Sequence, residues 1–155
     1  MMKGRSIILI GLILILLLIA FWAARFFVHS TDYTLGETNF TRNALTVVEK
    51  RSRLKLPDKS RGLNMVYEGS RGDAAFVAKI GIPSDAEDKI KQQIEQCANE
   101  DYHTIGPLSE KVSWWNPAQL KVVLEREYTV DSSYVHVLLC HDNQQVVLFV
   151  ESLSF

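Results

Sequence analysis

The sequence predicts an α+β fold: an N-terminal transmembrane helix, then a two-layer domain of mainly antiparallel sheet with about five strands and two helices. Three observations predict it. Residues 7–24 are an apolar run of 18, twelve of them Ile or Leu, bracketed by Lys3, Arg5 and Arg25. Beyond this run, stretches of helical spacing and of strict alternation follow in the order α-ββ-α-βββ. Only the second of these helices is placed to carry a crossover between parallel strands, so an antiparallel sheet with helices on one face is the economical architecture.

The apolar run would span about 27 Å as a helix, close to the roughly 30 Å of a bilayer's hydrocarbon layer. Phe26, Phe27 and Val28 extend it to residues 7–28 if Arg25 snorkels to the head groups. Bulky Phe21 and Trp22 stand where a signal peptidase wants small residues, which favours an uncleaved signal-anchor. Lys3 and Arg5 outnumber Arg25, so residues 1–6 are expected as a cytoplasmic tail and the C-terminal domain on the periplasmic or extracellular side of the inner (plasma) membrane.

Residues 29–37 are polar, contain Gly36 and read as a stalk, leaving 38–155 as a single α+β domain. Phe40, Ala44, Val47, Val48 and Leu54 predict a helix over 38–55, with Thr38 as its cap and Pro57 beyond its end. Residues 63–68 and 74–82 read as strands around a Ser70-Arg71-Gly72-Asp73 turn, with Phe76, Ala78, Ile80 and Ile82 on one face. Ser84 and Glu87 have capping-box spacing at the head of a helix over 84–98 lined by Ile90, Ile94 and Cys97. Residues 99–117 form a long connection. Then come a strand alternating Leu120, Val122, Leu124 and Tyr128 with charged residues, and two nearly all-apolar strands, 134–140 and 146–150, around Asp142-Asn143-Gln144.

The chain holds 17 basic and 18 acidic residues; without Lys3, Arg5 and Arg25 the balance is 14 to 18, which argues against a nucleic-acid partner. His29, Cys97, His103, His136, Cys140 and His141 show neither HxxxH nor CxxC spacing, so neither metal nor cofactor is expected. Cys140-His141-Asp142 resembles a nucleophile, base and orienter in order, but adjacent strand residues point to opposite faces. His136 shares a face with Cys140 at about 13 Å, beyond hydrogen-bond reach. His103 beside Asp101 is the remaining catalytic candidate. A disulfide between Cys97 and Cys140 requires the even-numbered face of 134–140 to look at the helix layer.

Lys50, Arg51, Arg53, Lys55, Lys59 and Arg61 place six cations in twelve residues, a helix end complementing its dipole or a contact for anionic lipid. Trp114, Trp115 and Asn116 are a candidate partner contact, against the alternative of a plug at the end of the core. Arg71-Gly72-Asp73 has the letters of an adhesion tripeptide, which a hairpin turn explains, and Asn39-Phe40-Thr41 those of a glycosylation sequon.

The layout is similar to that of small single-pass domains of the bacterial envelope, a similarity that assigns no residue a role. The function expected is a membrane-anchored, extracytoplasmic, non-enzymatic binding domain held in lipid through residues 7–28 and serving a protein partner. Two alternatives are an immunity or inhibitor protein that neutralises a toxin at the envelope, and a hydrolase-type enzyme using Cys140 or His103.

Overall fold

The computed structural model describes residues 11, 13–22, 32–69, 74–100 and 108–154, and the chain divides into two units, Met1–Thr31 and Asp32–Phe155. In the first unit residues 13–22 are helical, and their large apolar side chains are 50–69% exposed. Among the described residues no helix is long and apolar enough to cross a membrane. The expected tail and the ends of the expected anchor lie outside the described residues.

The second unit is a six-stranded, wholly antiparallel sheet with two helices on one face. Its elements are β1 (Tyr33–Gly36), α1 (Arg42–Ser52), β2 (Arg61–Gly69), β3 (Ala74–Ile82), α2 (Glu87–Glu95), β4 (Lys121–Val130), β5 (Ser133–Asp142) and β6 (Gln145–Ser154). The sheet order is β1-β2-β3-β6-β5-β4, so two meanders meet where β3 pairs with β6.

The sixth strand corrects the expected stalk. Tyr33 and Leu35 alternate onto the inner face, and the Tyr33 ring stacks on Tyr67 of β2 at 4.9 Å and 9°. After β1 the chain reverses: Gly36 N–H donates to Asn39 Oδ1 at 2.6 Å and Asn39 N–H to Gly36 O at 3.1 Å. This turn keeps Thr38 out of the helix. Thr41 caps α1 instead, accepting from Ala44 N–H at 3.3 Å. Phe40, just before the cap, lies over Gly62, where a Cβ would come within 2.0 Å of its ring.

α1 also stops sooner than expected, at a left-handed Arg53 (φ 59°). The unwound residues beyond it satisfy their backbone through side chains. Ser52 Oγ accepts from Leu54 N–H, Gln93 Oε1 from Lys55 N–H and Glu49 Oε1 from Leu56 N–H, at 3.3, 2.8 and 3.0 Å. Leu54 and Leu56 are buried and pin this segment to the core.

At the second helix a 3-10 turn, Ser84–Ala86, precedes α2, and neither start has a side-chain cap. The expected capping box does not form. The Glu87 carboxylate bonds His141 Nε2 of β5 at 2.7 Å instead, although Asp85, Glu87 and Asp88 still set negative charge at the helix start.

Alternation sorts each central strand into two faces. Phe76, Ala78, Ile80 and Ile82 of β3, Val135, Val137 and Leu139 of β5, and Val146, Leu148 and Val150 of β6 form the inner core. Ala44, Leu45 and Val48 of α1 with Ile90 and Ile94 of α2 close it. The opposite face holds a second cluster, Leu138, Cys140, Val147 and Phe149, covered by Trp115 and Leu120. In β4 the expected alternation slips at a bulge between Val122 and Leu124. Val122 opposes Cys140 and is 42% exposed, whereas Leu124 opposes Leu139 and packs inward. The hairpins β4–β5 and β5–β6 turn at Asp131 (φ 54°) and Asn143 (φ 57°), residue types that tolerate this conformation.

Candidate functional site

The outer face of β4, β5 and β6 brings chemistry together beneath the segment 108–120. This segment braces itself with successive tight turns: Val112, Trp115, Gln119 and Leu120 each donate an N–H to a carbonyl three residues back, at 2.9–3.3 Å. Pro117 supplies the fixed φ for the last of these, a 3-10 turn over Pro117–Gln119. Two anchors hold the segment to the sheet. Glu151 of β6 is 2% exposed, and its carboxylate accepts from Ser109 N–H at 3.0 Å and Ser109 Oγ–H at 2.9 Å. Trp115 sets its ring edge-on to Phe149, with centroids 5.1 Å apart and planes at 75°.

Beside these anchors stands His136. It opposes Glu151 on one side and Glu127 on the other in the strand register. Its Nε2 lies 2.8 Å from Glu125 Oε1, and one ligand atom from each of Glu125, Glu127 and His136 falls within 4.8 Å of the others. The Trp115 and Tyr134 rings flank the imidazole at 6.4 and 6.5 Å. A carboxylate, a second carboxylate and an imidazole on one hairpin offer hydrogen bonds to a polar ligand or donor atoms to a divalent cation.

This group was hidden by the spacing rules, because its members are neighbours only across the hairpin. Glu125 and Glu127 share a face two residues apart, as their alternation implies. Val130 opposes Ser133 at the turn, and three residues out on each strand stand Glu127 and His136. The run over 134–140, apolar or aromatic except for His136, was the usable signal.

The residues singled out in the sequence disperse. Trp115 is half-buried on the outer layer, and half-buried Trp114 tilts against it at 6.3 Å. Asn116 Nδ2 donates to Gln119 Oε1 at 3.1 Å, and its Oδ1 is a buried oxygen without a partner. The basic run divides between the two ends of the sheet. Arg51 donates to Ser154 Oγ and Arg53 forks onto Asp131 at 2.9 and 3.2 Å at one end. Lys59 and Arg61 line a cleft of about 590 Å³ beside Asn143 and Gln145 at the other, and Arg61 also approaches Glu37 at 4.0 Å. Arg51 and Arg53 thus lie at the opposite end of the sheet from Lys59 and Arg61, and these four of the six cations Lys50, Arg51, Arg53, Lys55, Lys59 and Arg61 form no single patch.

Cys97 and Cys140 are free thiols. Cys97 packs against the inner core, whereas Cys140 belongs to the outer cluster, so the odd-numbered face of β5 meets the helices and the condition for a bridge fails. Asp101, His103 and Arg71-Gly72-Asp73 lie outside the described residues.

Burial pushes the Cys140 thiol up to about 11; the negative charge of Glu125 adds to this and Lys79 opposes it. At neutral pH it therefore supplies little thiolate. The shift carries a stability consequence. An unfolded cysteine ionises near its ordinary value of 9.0, so between that pH and about 11 the unfolded chain has lost a proton that the fold retains. Each pH unit in this window should cost about 1.4 kcal/mol. Tyr128, raised first by burial and then by Cys97, acts with the same sign at higher pH. Urea denaturation should show stability falling by about 2–3 kcal/mol across the cysteine's window, and Cys140→Val should flatten that fall.

The class these features define is an antiparallel α+β domain with a two-faced sheet, one face under helices and the other under an ordered strap. Compared with known protein families, curated proteins and solved structures, the chain matches none.

Proposed function

We propose that the chain is a single-pass membrane protein, anchored through residues 7–28, whose remaining body is an extracytoplasmic binding domain for a protein partner. The observation that carries this reading is the helix over 13–22. Nine of its side chains, from Ile13 to Trp22, are large, apolar and at least half exposed. A contiguous apolar surface of this kind calls for lipid or a partner, and the sequence continues it at both ends. Lys3 and Arg5 against Arg25 orient the amino terminus toward the cytoplasm at the inner membrane.

The domain is read as binding rather than catalytic. Cys140, the nucleophile the sequence offers, is fully buried with its thiol pushed up. The contact assigned to the partner is the ridge at Trp114, Trp115 and Asn116, where an aromatic pair sits on a strap fixed to the sheet.

The test places a photo-activated cross-linking amino acid at Trp114 of the full chain in native membranes. A discrete adduct with another protein is the expected result. Labelling of lipid alone, of this chain alone, or of nothing would overturn the proposed partner contact.

A further inference from the structure

The hairpin of β4 and β5 carries three donor atoms within 4.8 Å of one another, and we propose that Glu125, Glu127 and His136 bind a first-row divalent cation, with Zn²⁺ the best-matched ion. The site is independent of the anchoring and partner readings above.

Geometry is the first argument. Zn²⁺ takes imidazole nitrogen and carboxylate oxygen at about 2.0–2.2 Å, which sets tetrahedral ligand atoms about 3.4 Å apart. The three donor atoms here lie within 4.8 Å of one another, and Glu125 Oε1 stands 2.8 Å from His136 Nε2. The required spacing falls inside that spread. The Glu125 side chain is 54% exposed and free to open by half an ångström or so, while that of His136 is only 17% exposed. The more buried of these two ligands is thus the imidazole, with the Trp115 and Tyr134 ring centroids 6.4 and 6.5 Å from its own.

The framework is the second argument. All three residues sit on strands in continuous register rather than on a loop, and His136 directly opposes Glu127. A ladder of backbone hydrogen bonds holds such ligands more tightly than a loop does. The bulge between Val122 and Leu124 matters here, because it resets the phase of β4 so that Glu125 and Glu127 share the face of His136.

Charge is the third argument. His136 is flanked in register by Glu127 and by the buried Glu151, which its bonds to Ser109 fix in place. A dication there is attracted by the two ligand carboxylates, and a third carboxylate stands on the neighbouring strand. Mixed imidazole and carboxylate donors select first-row ions over Mg²⁺ and Ca²⁺, which prefer all-oxygen shells. Three protein ligands also leave a fourth position for water or for a group from another molecule.

The experiment titrates the metal-stripped full chain in detergent micelles with Zn²⁺ by calorimetry and with Co²⁺ by visible absorption. One saturable equivalent is expected, with tetrahedral Co²⁺ bands that Zn²⁺ abolishes and millimolar Mg²⁺ leaves intact. Glu125→Gln and His136→Gln should each weaken Zn²⁺ by at least tenfold, whereas His141→Gln, on the inner face beside Glu87, should leave it unchanged. Glu125 is exposed, so Glu125→Gln tests the ligand without challenging the fold, and unchanged far-ultraviolet dichroism checks that. The absence of a saturable equivalent would overturn the site. So would binding that survives both Glu125→Gln and His136→Gln, which would place the ion elsewhere on the chain.

Discussion

Replacing Glu151 by alanine should destabilise the domain by about 3–5 kcal/mol, because two hydrogen bonds to a buried charged group are lost together. The carboxylate accepts from both the backbone and the hydroxyl of Ser109 and is 2% exposed, so water cannot readily replace it. The damage should spread beyond the two donors. Ser109 belongs to the 3-10 turn Leu108–Lys111, whose Leu108 is buried and whose Lys111 reaches Glu68 at 3.7 Å. Loosening this turn lifts the strap that carries Trp115 over Phe149. Glu151→Gln keeps the size, but its amide offers one acceptor oxygen where the carboxylate offers two, so a loss of about 1–3 kcal/mol is expected. Urea denaturation at neutral pH gives both values. Tryptophan emission should shift to the red in Glu151→Ala before global unfolding. A Glu151→Ala chain with the wild-type midpoint would show that the strap holds without this carboxylate.

The elements readable from sequence are those whose pattern repeats along one segment. Phe76, Ala78, Ile80 and Ile82 alternate without interruption and all reach the inner core, as do Ile90 and Ile94 one helical turn apart. β5 is apolar on both faces because both are covered, by helices on one side and by the strap on the other. What the pattern hides is whatever depends on a distant partner. β1 has four residues, too few for a period, and its evidence is the stack of Tyr33 on Tyr67. Glu87 has the spacing of a capping box but prefers His141, 54 residues away. The bulge in β4 changes which face Leu124 and Glu125 occupy, so alternation read straight through it misplaces one side of the strand. The Glu125, Glu127 and His136 group requires the hairpin register before it exists at all. The face of Cys140 likewise depends on where the helices pack, and a two-sided apolar strand does not reveal that.

On the anchor proposed over residues 7–28, substituting Arg for both Leu14 and Leu17 should release the chain from the membrane. In the helix these two side chains are 57% and 61% exposed. At the centre of a spanning segment each leucine favours insertion by about 0.3–0.6 kcal/mol and each arginine opposes it by about 2.5–3.5 kcal/mol. Each exchange therefore costs about 3–4 kcal/mol, and the pair about 6–8 kcal/mol. The twelve Ile and Leu of the run together favour insertion by about 4–7 kcal/mol. The double substitution thus cancels or reverses the whole driving force, whereas Leu14→Ala with Leu17→Ala should leave the chain in place. Alkaline carbonate extraction of membranes separates these outcomes: the Arg pair is expected in the supernatant, and wild type and the Ala pair in the pellet. Among the described residues the inner core runs from β1 onward, so the released chain should unfold in urea at the midpoint of wild type. An Arg pair that stays in the pellet as an integral protein would remove the anchor over residues 7–28. A released chain with an altered midpoint would instead show that the apolar helix helps to hold the domain together.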